Sequence, residues 1–277
     1  MNWIRRCASA ALAALLYVGC LPAMAEGPAD SAQTVIHMLD YVSVDYPQFV
    51  RDGKVLDEPE YQEQLEFARQ SLALLQRLPD AADKPALVAK AGQLVGRIEA
   101  KAPGGEVAAL ARSVGAETIR IYQVAVAPRQ PPDLQRAAAL FQAQCIACHG
   151  AQGRGDGPSA KGMDPAPSNF HDAARMQQRS VYGLYNTITL GVGGTGMRGF
   201  AELEEADRWA LAFLVAGLRT PPEAVRAGQA LWQQGVGKQD LASLRALVTS
   251  TPEALAAQGN GELAQVQAFL VARPATL

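Results

Sequence analysis

The chain has 277 residues, 49% of them apolar, and a formal net charge of −2, which is enough for one or two domains with cores of their own. No basic excess marks a nucleic-acid footprint. With only three His and no nucleophile–base–acid constellation, the chain does not read as a hydrolase or metalloprotease.

Residues 1–25 read as a secretory signal. Arg5 and Arg6 make the positive start, residues 8–18 form an apolar run too short to span a membrane, and Ala23-Met24-Ala25 fits a small-x-small cleavage site. The mature chain is therefore expected to begin at Glu26 in the periplasm, with lipid anchoring at Cys20 as the lesser alternative. Cys7 and Cys20 leave with the signal. Cys145 and Cys148 remain, so no disulfide framework holds the fold.

Residues 26–127 read as a helical bundle. A first helix is predicted from Ser31 to about Val44, stopping before Pro47. Tyr61, Leu65, Ala68, Leu72 and Leu75 then recur at helical spacing, as do Leu87, Ala91, Leu94 and Ile98, and more weakly Val107, Leu110, Val114 and Ile121. Asp57 stands as an N-cap before Pro59, and Pro79-Asp80 and Pro103-Gly104-Gly105 break the chain between helices. Four helices on short turns predict an antiparallel bundle. Glu60, Glu63 and Glu66 follow Glu58 at three-residue intervals. Such carboxylates suit hard iron ions, ferrous or ferric, although a solvated face is the commoner reason for the pattern. His37 reads as a lone, partly buried helix residue.

Pro128, Pro131 and Pro132 make a short stiff linker into a second domain over residues 133–218. Its opening helix, residues 133–145, runs into Cys145-Ile146-Ala147-Cys148-His149-Gly150. C-x-x-C-H is the attachment signature of a c-type haem: two thiols at this spacing can each bond one porphyrin vinyl group, and the adjacent His supplies an axial nitrogen. A C-x-x-C pair alone could be a disulfide, a redox dithiol or half of a zinc site, but no second Cys pair follows to complete four thiolates. One covalently attached haem c is therefore expected. Beyond it come an irregular Gly- and Pro-rich stretch (150–170), a helix capped by Ser180 and ending near Leu190, a glycine-laden turn (191–196), and a last helix from about Glu204 to Leu218. Residues 219–277 read as an extension of two or three small helices. Strand signals are almost absent, so the fold class is all-α.

An electron-transfer haem takes a sixth iron ligand from the protein. The candidates are Met163, Met176, Met197, His171 and Lys161. Met197 ranks first: it sits in Gly196-Met197-Arg198-Gly199-Phe200, where glycines let the backbone approach the porphyrin face. Met163 ranks second. Thioether ligation raises the reduction potential relative to two imidazoles, and two protein ligands close the iron to oxygen chemistry. The expected site is thus Cys145, Cys148, His149 and Met197, the last two holding iron.

Residues 133–218 resemble a class I cytochrome c domain through Cys145-x-x-Cys148-His149, the Gly-rich loop, the Gly-x-Met turn at Met197 and the amphipathic last helix. The resemblance implies that Ala137, Phe141 and Phe213 form the crossing of first and last helices, Ala137 standing where the family usually has Gly. Arg198 stands where that family often has Pro, and Pro158 is expected to lie in the loop whose carbonyl orients His149. The chain as a whole is similar to the N-terminal, periplasmic half of a bacterial fusion in which a helical region and a cytochrome c domain precede a high-affinity iron permease. Leu39-Asp40-Tyr41-Val42-Ser43-Val44-Asp45-Tyr46-Pro47, residues 52–58, residues 186–197 and residues 207–213 carry this likeness, and no Arg-Glu-x-x-Glu motif accompanies them.

That resemblance implies a mono-haem electron carrier serving iron oxidation and uptake, with a membrane iron permease and a respiratory or copper-protein redox partner. The haem-domain residues equally permit a general electron relay for a dehydrogenase. A haem-based docking or sensing module is the reading from another class, and it would need an open iron site.

Overall fold

The computed structural model describes residues 28–258 and 261–277, so the predicted signal, with Cys7 and Cys20, lies outside the described residues. The N-terminal region is built from α1 (Pro28–Phe49), α2 (Glu58–Arg77), α3 (Lys84–Glu99) and α4 (Gly104–Tyr122). Asp57 caps α2 by accepting from the Glu60 amide, with Pro59 in the first turn. The apolar stripes of these helices meet in one core, in which Leu39, Leu75, Leu87, Leu94, Ile98 and Val107 are fully buried. Two buried tyrosines tie helix to helix: Tyr46 donates to Ala102 O at 2.9 Å and Tyr61 to Ile98 O at 3.1 Å.

One expectation needs correction here. The first helix does not stop before Pro47 but runs through it to Phe49. Pro47 removes one helical donor, yet the fully buried Tyr46 anchors the last turn. Gly104 leaves room for the proline, since a Cβ there would come within 2.7 Å of the Pro47 ring. The chain also holds a short hairpin, β1 (Val50–Arg51) against antiparallel β2 (Lys54–Val55), closed by Asp52 and Gly53 at φ 52° and 72°. Asp-Gly is a favoured sequence for such a tight turn.

After the proline linker come α5 (Leu134–Gln144), α6 (Ile146–His149), α7 (Ala173–Met176), α8 (Val181–Leu190) and α9 (Glu205–Leu218). Asp133 caps α5 and Ser180 caps α8. α5 crosses α9 through Ala137, Phe141 and Phe213, all buried. Among the described residues the extension holds four α-helices rather than two or three: α10 (Pro222–Gln233), α11 (Leu244–Thr249), α12 (Pro252–Gln258) and α13 (Glu262–Ala272), then a short 3₁₀ turn. α11 and α12 are too short to show a clear helical period; side-chain caps at Ser243 and Thr251 start them. The extension shares its core with the preceding domain, since Trp209 and Phe213 belong to one apolar cluster with Trp232, Leu247 and Phe269.

While packed in the bundle, α1 also packs on α8. Gly183 permits this approach, because a Cβ there would stand 2.6 Å from Asp40 Oδ2. Gln33 donates to Asn186 Oδ1 at 2.9 Å beside it. Among the described residues no helix is long and apolar enough to cross a membrane.

Candidate functional site

Cys145 closes α5, and the next turn, α6, carries Cys148 and His149. The Cys145 carbonyl accepts from both the Cys148 and His149 amides, at 3.2 and 2.9 Å, which brings the three side chains onto one short helical segment. The following loop folds back on it: Gly155 N donates to His149 O, Gly157 N to Cys148 O and Ser159 N to Ala147 O, at 2.8–3.1 Å. These bonds satisfy carbonyls that a four-residue helix leaves open.

Both cysteines are free thiols and half-buried. Burial pushes the Cys145 thiol up to about 11, with the neighbouring Cys148 adding to the rise. A redox dithiol needs a lowered value to supply thiolate, so this environment does not suit that reading. Burial lowers His149, against a hydrogen bond from Nδ1 to Ser168 O at 3.2 Å. A neutral imidazole with its proton on Nδ1 keeps the Nε2 lone pair for a metal. The orienting carbonyl belongs to Ser168, after Pro165 and Pro167, and not to the Pro158 region. Pro158, nearer in sequence, sits in the part of the loop bonded to α6, whereas the chain returns beside the imidazole only at 168. Phe170 stacks on the His149 ring at 4.6 Å and fixes its plane.

Facing this segment is a cavity of about 300 Å³ whose wall includes Cys145, Cys148, His149, Met163, Met176 and Met197. Phe141, Leu184, Ile188, Leu211 and Val215 give it an apolar lining. Met197 hangs in a tight loop: Val192 N donates to Met197 O at 2.8 Å, Met197 N donates to Thr195 Oγ1 at 3.1 Å, and Gly191 bridges Arg198. Gly191 takes φ 73° and lies so close to the returning strand that a Cβ would meet Gly199 N at 2.5 Å. Arg198 lies 3.9 Å over Phe200 and pairs with Glu202 on the outer side of the loop. Met163 reaches the same loop, 3.6 Å from where a Gly196 Cβ would stand. His171 instead bonds Gln152 O at 2.7 Å, and neither it nor exposed Lys161 lines the cavity.

Three further wall residues escape a reading of the sequence: Tyr41, Arg175 and Arg179. Arg179 is buried, bonded to Asp40 at 2.8 Å and Asp45 at 3.2 Å, with its guanidinium 4.2 Å over the Tyr41 ring. Arg175 shares Asp45 at 3.2 Å. The carboxylates and Tyr41 come from α1, more than a hundred residues upstream, so no local pattern could have signalled them.

The row Glu60, Glu63 and Glu66 does not converge. Glu60 and Glu63 are half-buried and pushed up, first by burial and then by neighbouring acids, whereas Glu66 and Glu58 are exposed and bond Gln70 and Gln62. Among the described residues no group of three or more His, Cys, Asp or Glu could hold a metal ion.

Two thiols at this spacing, an imidazole whose Nε2 is left for a metal, thioethers lining the same cavity and a largely apolar enclosure in the ~300–1,000 Å³ range of small-molecule sites fit a covalently held haem. Residues 134–219 match the family model for cytochrome c, and residues 22–125 match that for the iron permease-associated 4-helix bundle domain; neither is a permease domain. No curated protein matches the chain. Among solved structures the chain is similar to one from the Kuenenia stuttgartiensis reducing HAO-like protein complex, at 26% identity and a TM-score of 0.31, over 42% of this chain. The match covers 60% of that chain's length.

Proposed function

We propose that this chain, an iron permease-associated four-helix bundle domain joined to a cytochrome c domain, is a periplasmic electron carrier that serves iron oxidation and uptake through a membrane permease. That it is an electron-transfer haem protein follows from its cytochrome c domain, which implies covalent haem c. The proposal adds the site and the task.

Cys145 and Cys148 would hold one haem through thioether bonds, and His149 Nε2 and Met197 Sδ would bind its iron. Bound there, the group supplies reversible one-electron iron chemistry. The Ser168 carbonyl keeps the His149 proton on Nδ1, and Phe170 holds the ring plane. The tight 191–199 loop holds Met197 at the cavity wall, and the apolar part of the lining would keep water from the iron. Held by both His149 and Met197, the group would be disposed to electron transfer rather than to oxygen chemistry.

The observation that supports the link to iron is the union of the two domains: the bundle's α1 supplies Tyr41 to the cavity wall and Asp40 and Asp45 to its arginines. A bundle associated with iron permeases thus forms part of the electron-transfer pocket. The carrier would take an electron as Fe(II) is oxidised for permeation and pass it to a respiratory or copper-protein acceptor. Mixing the purified ferric protein with Fe(II) tests this. Rapid conversion to the ferrous spectrum is expected; a protein that a small artificial reductant reduces but Fe(II) leaves ferric would end the iron assignment.

A further inference from the structure

The Met197 loop is not held by its own domain alone. His37, on the bundle helix α1, places Nε2 2.8 Å from Gly191 O. A carbonyl can only accept, so the imidazole proton is on Nε2 and the ring donates. His37 is buried, and its Nδ1 finds no hydrogen-bond partner among the described residues. Its edge packs on Tyr41 in a T-shaped contact at 5.1 Å, and Tyr41 lies 3.3 Å from Thr187 Oγ1 on α8 while lining the cavity.

Gly191 is where the loop is pinned. It ends α8, turns at positive φ and bridges Arg198. The next residue, Val192, donates to Met197 O. Two short links therefore run from an imidazole in the bundle to the backbone of the methionine: His37 to Gly191, and the 191–192 turn to the 197–198 strand.

We propose that His37 is a positioning residue for the sixth iron ligand, clamping the Gly191 turn so that the bundle holds Met197 over the cavity. This rests on the assignment of Met197 as an axial ligand given above. The bundle then sets how firmly the iron is closed, and anything that shifts α1 on α8 reaches the iron through this bond.

The test compares the full-length holoprotein with His37→Leu, His37→Gln and Met197→Ala. Each is read by haem content, by the sulfur-to-iron charge-transfer absorption of the ferric protein, by carbon monoxide binding to the ferrous protein and by reduction potential. His37→Leu should keep its haem, weaken the charge-transfer band and bind carbon monoxide roughly tenfold faster, because the Gly191 carbonyl loses its donor. His37→Gln retains an N–H and should stay near wild type. If His37→Leu folds poorly, His37→Asn, whose shorter side chain cannot span the gap, is the replacement and should behave as the leucine does. Wild-type band and carbon monoxide behaviour in both the leucine and asparagine variants would overturn the proposal, as would equal loss in the glutamine variant, which would show that packing alone matters. Met197→Ala separates the two levels. If it leaves the band and carbon monoxide binding unchanged, the axial assignment itself is wrong; if it abolishes the band while the His37 variants do nothing, only the clamp is wrong.

Discussion

The bundle and the haem domain are both all-helical, yet they close their interiors in different ways. In the bundle, Leu87, Leu94, Ile98 and Val107 meet the stripes of neighbouring helices and leave no solvent exposure. In the haem domain, Phe141, Leu211 and Val215 line a cavity of about 300 Å³ together with Cys145, Cys148, His149 and Met197. The first interior is finished by the polypeptide. The second is shaped for a group that the polypeptide must bind, and the binding free energy of that group is part of its stability. Regular periodicity accompanies the first kind of core, and irregular loops held by backbone bonds accompany the second.

Removing the attachment thiols tests that difference most severely. In a Cys145→Ala/Cys148→Ala double variant, covalent haem should vanish from the intact mass. Hydrogen exchange should then accelerate across α5, α6 and α9 by orders of magnitude while α2, α3 and α4 keep their protection. Equal protection in the two regions of the haem-free variant would show that the haem domain, too, is closed by its own chain.

A smaller loss is expected where the regions are joined. Arg179 is buried against Asp40 and Asp45, and removing one side of a buried ion pair costs about 3–5 kcal/mol because the remaining charges stay out of water. Arg179→Met should lower the stability of the haem-loaded protein by about that amount, and denaturant unfolding should separate into two transitions where the wild type shows one. A loss below about 1 kcal/mol, in the range of an exposed pair, would mean that the two regions are held together elsewhere.

How much of this could be read from the amino acids follows the same division. The bundle helices α2, α3 and α4 are legible because Leu, Ala and Ile recur at the helical period and Asp57, Pro79 and Pro103 punctuate them. The end of α1 is not, because Ala102, which accepts from Tyr46, and Gly104, which leaves room for Pro47, lie in another part of the fold. Cys145, Cys148, His149 and Met197 stand out in the sequence because their chemistry is tied to short spacing and flanking glycines, and the structure gathers them on one cavity. Ser168, Tyr41, Arg175 and Arg179 have no such mark. A backbone carbonyl carries no side-chain signature, and a buried arginine shows itself only beside the carboxylates that neutralise it, which here lie on α1.

The last expected effect concerns the bond between the two regions and is the most modest. Burial, aided by the Arg179 charge and opposed by the Gly191 hydrogen bond, lowers His37 from 6.5 to about 4. As pH falls, the unfolded chain therefore takes up this proton before the folded one. Stability from the neutral ring is complete above 6.5 and drains away as pH falls toward 4, where the folded imidazole protonates as well. The full difference amounts to about 3 kcal/mol. His37→Gln cannot titrate, so its unfolding free energy should fall less steeply than that of the wild type between pH 6.5 and pH 4, while the carboxylates shared by both proteins cancel in the comparison. Parallel stability–pH curves for the two proteins would mean that the imidazole reaches water or takes its proton in place. The contact between α1 and Gly191 would then be looser than a buried 2.8 Å hydrogen bond requires.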